Sequence, residues 1–377
     1  MLFSFVKKFN QFNNKYGEWI FYLGLFLMIV SKYWFAINDN CPHELIGLRT
    51  FLLNTGKLLL IVRILLFSHK YPIYVLCCII MYPIFKYSSS LSNWYIVVNS
   101  FIIIAASRDS NIKTTLRVFL VAFVLILISG LILYSVGWLS DITKQRLVIK
   151  AHSLGFTSPN TLACLIQMLA LLMLLYWDIK KTKTIWITCW AIALLIFSLT
   201  QGITSVSVLI IIPPLYLFLK HHPIPAWILA ILPWCCLVLS IALAYYYGPS
   251  YGTTTFESRF SIPALVYQNH GLSLFGQEYG YVSFNKAWKT GVQPLCVDNV
   301  FMHIVLCEGV MIALSVLLFL SHYYYKIGNT RQPLLVSSSI GLCILGLMEY
   351  VTLDASFNFL LLYYFHHFTP LSKSIQR

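Results

Sequence analysis

Long apolar runs, separated by short polar connections, set the organisation of this chain. They fall near residues 17–36, 46–68, 72–87, 93–107, 116–138, 158–177, 184–200, 203–219, 226–247, 298–321, 333–351 and 354–369. Each predicts a membrane-crossing helix, because ~20 apolar residues in a helix span a hydrocarbon core ~30 Å thick. A helix also satisfies its own backbone hydrogen bonds, which lipid cannot do. The alternating ten-residue segments of an outer-membrane barrel are absent from the sequence. The expectation is an all-α fold, a polytopic integral membrane bundle of about 12 transmembrane helices. Residues 1–377 then form a single integral membrane domain, and the lipid bilayer is its first partner.

Composition supports that expectation. Hydrophobic residues make up 59% of the chain and charged residues only 10%, against about 25% charged in soluble domains. The formal charge of +14 would suit nucleic acid, but topology accounts for most of it and no nucleic-acid partner is expected. With both termini cytoplasmic, the inner connections hold Lys7, Lys8, Lys15, Lys70, Arg108, Lys113, Arg117, Lys180, Lys181, Lys183, Lys220, Lys326, Arg331, Lys373 and Arg377. That is more than half of the 26 lysines and arginines, as the positive-inside rule requires. Lys7 and Lys8 precede an apolar run that lacks a small-residue cleavage pattern, so the first span is expected to be retained. The 10 cysteines lie mostly inside spans without CxxC or Cys/His spacing; they read as packing residues, and no metal is expected. Cys41 and Cys296 both fall on the expected outer face, where a disulfide between them is chemically allowed.

Two outer connections are longer than a helix bundle needs: Leu139 to Thr157, and residues 248–297, a large extracytoplasmic loop. Both carry cations on the side where the rule disfavours them, namely Lys144, Arg146 and Lys150 in the first and Arg259, Lys286 and Lys289 in the second. An anionic ligand at the outer membrane face is the simplest reason for them. In the second span Arg49 and Arg63 lie near the ends, within snorkelling reach of water. Lys57 lies mid-span, where a charge costs at least ~2.5 kcal/mol. It either pairs with an intramembrane acid such as Glu349 or faces a polar cavity.

Three local patterns follow one another in the second half of the chain. KAHSLGFTSPNTLACL carries a Gly-Phe turn and then Pro159–Asn160 at an expected helix start. ESRFSIPALVYQNHGLSLFGQ carries an arginine, a helical spacer and a Phe-Gly-Gln turn. DNVFMHIVLCEGVMIAL opens a helix at Asp298–Asn299 and places Glu308–Gly309 ten residues later. In this order and spacing the chain, from about Arg146 to Asn358, resembles the Wzy-type polysaccharide polymerases, relatives of the O-antigen ligases. The likeness is greatest to the polymerases of capsular and exopolysaccharide clusters.

The resemblance implies a membrane glycosyltransferase that joins undecaprenyl-diphosphate-linked oligosaccharides at the outer face of the bacterial cytoplasmic membrane. One lipid-linked glycan is the donor and another the acceptor; the lipid diphosphate is released, and no cofactor or metal takes part. A flippase and a chain-length regulator are candidate partners. Loop arginines hold the diphosphate, and a residue at the start of the helix after the large loop activates the acceptor hydroxyl. The ligases have His-Asn at that helix start, whereas this chain has Asp298–Asn299 and retains Glu308 and Gly309.

The residue types suit those roles. A departing diphosphate develops negative charge, and the guanidinium fork matches it with paired hydrogen bonds. Arg259, the one arginine in the large loop, is the first candidate; its structural alternative is an ion pair with Glu257. Arg146 is the second, with anchoring to lipid headgroups as its alternative. Asp298 is the candidate base, since a carboxylate is ionised at neutral pH and accepts a proton; it equally suits a helix cap. His303 is rotated away from Asp298 on a regular helix and is either a relocated base or a buried structural histidine. His270 and His152 are further candidate bases, and where many relatives have an arginine, Ala151 is flanked by Lys150 and His152. With Arg146, Lys150, His152, Asn160, Asn299, Lys57 and Glu308 complete the expected substrate-binding set. For Glu349 a structural ion pair with Lys57 or Arg63 is the preferred reading. Tyr279, Tyr281, Phe284 and Trp288 suit either sugar stacking or interfacial anchoring. A ligase of the same superfamily and a lipid-linked oligosaccharide flippase are the competing readings.

Overall fold

The computed structural model describes residues 2–33, 43–67, 95–108, 110–145, 150–248, 255–277, 282 and 295–364. Strand among the described residues is limited to a hairpin of two two-residue strands and one isolated bridge, Val282 with Leu295. Everything else regular is helical. Among the described residues six helices are long and apolar enough to cross a membrane: Ile112–Ser135, Pro159–Tyr176, Thr182–Thr200, Ile203–His221, Ala226–Tyr247 and Val310–Gly328. Their outward faces carry large apolar side chains such as Ile187, Leu194, Val238 and Ile241. Water would disfavour those faces and hydrocarbon accepts them. This is the build of an all-α, multi-pass membrane protein.

Contacts divide the chain into two compact units. The first comprises residues 1–76, 99–217 and 355–369. Its helices α1 (Leu2–Tyr33) and α2 (His43–Phe67) run antiparallel and meet at glycines. A Cβ on Gly56 would sit 2.8 Å from Met28 Cγ; the missing side chain is what lets the helices approach, a usual device in membranes. After α3 (Tyr95–Ala106), Asn111 caps α4 (Ile112–Ser135) by accepting from Lys113 N at 2.9 Å and Thr114 N at 3.3 Å. The Asn111 amide also donates to Tyr22 Oη at 3.1 Å, fixing α4 to α1. The hairpin β1 (Lys144–Gln145) and β2 (Lys150–Ala151) pairs Lys144 with Ala151. The unit continues with α5 (Pro159–Tyr176), α6 (Thr182–Thr200) and α7 (Ile203–His221), whose last residues belong to the second unit. Phe119 and Phe123 of α4 pack on Phe359 and Phe357, ring centroids 5.9 Å apart in both pairs.

The second unit comprises residues 77–98, 218–354 and 370–377. Its frame is an antiparallel pair, α8 (Ala226–Tyr247) and α11 (Val310–Gly328), tied by Trp234 Nε1 donating to Ser321 Oγ at 2.8 Å. Tyr324 Oη donates to the Ser339 carbonyl at 2.7 Å and joins α11 to α12 (Pro333–Leu345). Helix α9 (Thr255–His270) lies on α8, with Phe256 and Phe260 against Tyr247. Ile262 and Val266 of α9 share a buried cluster with Ala244, Met302, Leu306 and Cys307. Close fit and dispersion hold such contacts in a chain bathed by lipid, because lipid tails are as apolar as the side chains.

The late spans depart from expectation. Where one helix over 298–321 was expected, the chain makes a short α10 (Val300–Leu306), leaves helical geometry, and restarts at Val310. The cause is local. Gly309 has φ +95°, and a Cβ there would overlap Gly276 N and lie 2.7 Å from the Leu274 carbonyl oxygen. That conformation cannot continue a right-handed helix. The expected span 333–351 ends as α12 at Leu345 and gives way to a 3-10 turn, Tyr350–Leu353, after an extended Glu349. The described part of the expected span 354–369 is a turn over 355–357 followed by a 3-10 segment, Phe359–Tyr364. Thr352, Asp354, Ser356 and Asn358 put a buried polar side chain at every second position there, a rhythm that a helix face does not accommodate. The expected span 72–87 lies outside the described residues.

Candidate functional site

In the second unit, Arg259 is grouped with two acidic side chains. It sits in the second turn of α9, 7% exposed, on a helix held down by Phe256, Phe260, Ile262 and Val266. Its guanidinium is shared by two carboxylates. Nη1 pairs with Asp298 Oδ2, and Nη2 with Glu349 Oε1 at 3.3 Å. The fork geometry of arginine suits a double pairing of this kind. Glu349 receives a cation that the sequence reading did not assign to it.

Both carboxylates lie at interruptions of apolar helices. Asp298 is the last residue but one before α10, and the cap of that helix is its neighbour. Asn299 Oδ1 accepts from Phe301 N at 3.0 Å and from Met302 N at 3.1 Å. Asn299 Nδ2 donates to Ser240 Oγ at 2.9 Å, which anchors the helix start to α8. Asp298 is therefore not the cap, and its side chain is directed to Arg259. Glu349 follows the end of α12 in extended conformation, its N–H bonded to the Leu345 carbonyl at 2.9 Å. The side chains of Asp298 and Glu349 remain 16% and 15% exposed.

The break at residues 307–309 holds a second group. His303 Nδ1 lies 3.0 Å from the Val297 carbonyl oxygen, and its ring stacks on Tyr350. His303 Nε2 is 3.5 Å from Glu308 Oε1, and Glu308 is wholly buried. The two Glu308 oxygens accept no hydrogen bond among the described residues. His303 Nδ1 thus faces a backbone carbonyl, and Nε2 is turned toward Glu308 without a hydrogen bond among the described residues. The Ser273–Gln277 turn closes over the break. Val310 N donates to Ser273 O at 3.0 Å, Met311 N to Leu274 O at 3.1 Å, and Gln277 N to Cys307 O at 3.2 Å. Two of the sequence patterns, the Phe-Gly-Gln turn and Glu308–Gly309, are therefore one physical structure. The turn supplies carbonyls to the helix start that a continuous helix would have supplied itself.

The remaining candidates belong to the first unit. His152 follows β2 and donates its backbone N–H to Leu199 O at 2.9 Å. Its Nδ1 meets Asp141 Oδ2 at 2.5 Å, while its side chain stays 41% exposed. Asp141 Oδ1 also accepts from Ser153 N at 2.8 Å and Leu154 N at 3.0 Å. Burial alone would push the Asp141 carboxyl up, but the bonds from His152, Leu154 and Ser153 and the His152 charge outweigh it and hold it below the usual carboxylate range. Lys150 is exposed in β2, and Asn160 is half-buried at the start of α5 behind Ser158, whose Oγ caps that helix by accepting from Thr161 N at 3.2 Å. Lys57 is half-buried at the middle of α2. Arg63 is buried and donates from Nη2 to the Arg108 carbonyl at 3.2 Å, so it does not snorkel. His270 is exposed at the end of α9.

Arg146, Lys286, Lys289, Cys41, Tyr279, Tyr281, Phe284 and Trp288 lie outside the described residues. Among the described residues no three His, Cys, Asp or Glu side chains are grouped to hold a metal ion. Sequence reasoning passed over Asp141 and gave Glu349 only a structural role. Glu349 had one legible signal, a carboxylate in a run too apolar to hold it without a partner. Compared with family models, curated proteins and solved structures, the chain matches none of them.

A buried guanidinium can bind an anion when a carboxylate gives up its place on the fork, and a carboxylate beside it can accept a proton. Together they are suited to chemistry in which negative charge develops on a leaving group.

Proposed function

We propose that this chain is a membrane glycosyltransferase that polymerises polyprenyl-diphosphate-linked oligosaccharide repeat units, a polymerase of the Wzy type. The observation that carries the reading is the Arg259 guanidinium grouped with Asp298 and Glu349 at interruptions of apolar helices. The order of the three sequence patterns supports it, as does the seating of the Ser273–Gln277 turn on the Glu308–Gly309 break. In this reading about 12 spans cross the bacterial cytoplasmic membrane. Both termini face the cytosol, and residues 248–297 are the extracytoplasmic loop.

An undecaprenyl-diphosphate glycan is the donor and a second one the acceptor. The acceptor hydroxyl oxygen attacks the anomeric carbon from the face opposite the diphosphate. The anomeric C–O bond breaks and its electron pair leaves on the diphosphate, where the guanidinium fork offsets the new charge. Asp298, one-sixth exposed, takes the hydroxyl proton. Back-side attack inverts the anomeric configuration.

A lipid-linked oligosaccharide flippase is a second reading, favoured by the interrupted helices and the buried His303–Glu308 pair. Transporters build midplane sites from broken helices of this kind. Reconstitution into vesicles with a labelled lipid-linked repeat unit separates the two. Longer glycans, with one undecaprenyl diphosphate released per bond formed, are the expected products. Movement of the unit across the bilayer without growth selects the flippase, and neither outcome removes both readings.

A further inference from the structure

The proposed site contains its own competitor. Arg259 is the cation assigned above to a diphosphate, yet its guanidinium already serves the carboxylates of Asp298 and Glu349. One positive and two negative groups leave this cluster with a formal surplus of negative charge. A diphosphate approaching it as it stands would be repelled, and the guanidinium donors it needs would be in use.

The surroundings of the three side chains decide which of them can give way. Arg259 is 7% exposed and held on α9 by packed aromatic and aliphatic neighbours. Glu349 stands in extended conformation and Asp298 in the non-helical stretch before α10, with side chains about twice as exposed. A carboxylate that turns toward water recovers its hydration, whereas a buried guanidinium stripped of partners recovers nothing.

We propose that Arg259 is an anion-exchange site: the two carboxylates satisfy it in the empty protein, and a diphosphate takes the place of at least one of them on binding. The proposal rests on the reading that Arg259 receives a diphosphate, and it deepens that reading in two ways. The empty site never exposes an unpaired buried cation. Where Asp298 is the carboxylate displaced, it is released from its ion pair only when the donor has arrived, so the base becomes available together with the leaving group it serves. Selectivity follows from the same competition. An incoming anion must outbid a carboxylate already in contact, which a diphosphate does with its higher charge and several oxygens, and a sugar carboxylate does not.

The test is the affinity of the purified full chain for inorganic pyrophosphate, measured by titration calorimetry for wild type, Asp298→Asn and Glu349→Gln. Each amide keeps the shape of the side chain and removes its charge. Thermal unfolding of each variant accompanies the titration, and the two substitutions are independent, so failure of one to fold leaves the other decisive. The expected result is that at least one variant binds pyrophosphate about tenfold more tightly than wild type, with a smaller gain for orthophosphate. If wild type binds and both variants bind equally or more weakly, the carboxylates are supports and not competitors, and the exchange is overturned while the diphosphate site stands. If no protein binds pyrophosphate, the assignment of Arg259 to a diphosphate falls, and the exchange falls with it.

Discussion

Asp298 and Asn299 are adjacent, yet their side chains serve different structures. Asn299 turns inward to cap α10 through Phe301 N and Met302 N, and Asp298 turns to the guanidinium of Arg259. The division matters because either residue type suits a cap. Had the aspartate taken the helix start, its pairing with Arg259 would have been lost.

Replacing Asn299 by alanine removes the cap and the bond to Ser240 together. Loss of an N-cap costs about 1 kcal/mol, so thermal unfolding in detergent is expected to shift downward by a few degrees. Asn299→Asp should recover much of that loss, because the aspartate oxygen still accepts from the helix N–H groups. Equal melting of the alanine variant and wild type would contradict the cap assignment.

Gly309→Ala is expected to be far more harmful than an ordinary surface change. An L-residue at φ +95° is strained by about 1–2 kcal/mol, and the added methyl also overlaps the Ser273–Gln277 turn. The yield of monodisperse protein should fall sharply. A well-folded Gly309→Ala protein would show that the break is not built as described.

Asp141 gives the first unit a pH dependence of definite sign. Its carboxyl titrates below the usual range in the folded chain, so the unfolded chain binds the proton more readily. The stabilisation is fully present above the ordinary carboxylate value and is lost as pH falls through the lower folded value. Unfolding temperature measured from neutral pH down to about pH 3 should therefore fall more steeply for wild type than for Asp141→Asn. Parallel curves would remove the Asp141–His152 pair from the account.

Much of the fold was legible because its signals are local. Apolar runs fixed the helices Ile112–Ser135 through Ala226–Tyr247 to within a few residues, and Pro159–Asn160 marked a helix start correctly. The interruptions at Gly309 and Glu349 were hidden. Hydropathy averages over a window, and three residues that leave helical geometry inside an apolar run barely change the average. Of the site, Arg259 and Asp298 were picked out separately by charge and position, but their mutual pairing was not. Pairing at a distance of tens of residues depends on how α9, α10 and α12 are brought together, which no short-range pattern encodes. The same limit hid Asp141, whose partner His152 is eleven residues away across a hairpin.

The central claim is that Arg259 handles the diphosphate of a lipid-linked donor, and turnover by an Arg259→Lys protein tests it most directly. Lysine keeps the charge but loses the fork that serves two oxygens at once. With lipid-linked repeat units supplied to both proteins in vesicles, the account predicts glycan growth slowed by about 100-fold, the scale of losing one donor to a developing negative charge, while the folded fraction stays matched. Growth at the wild-type rate by a protein carrying lysine at this position would contradict it.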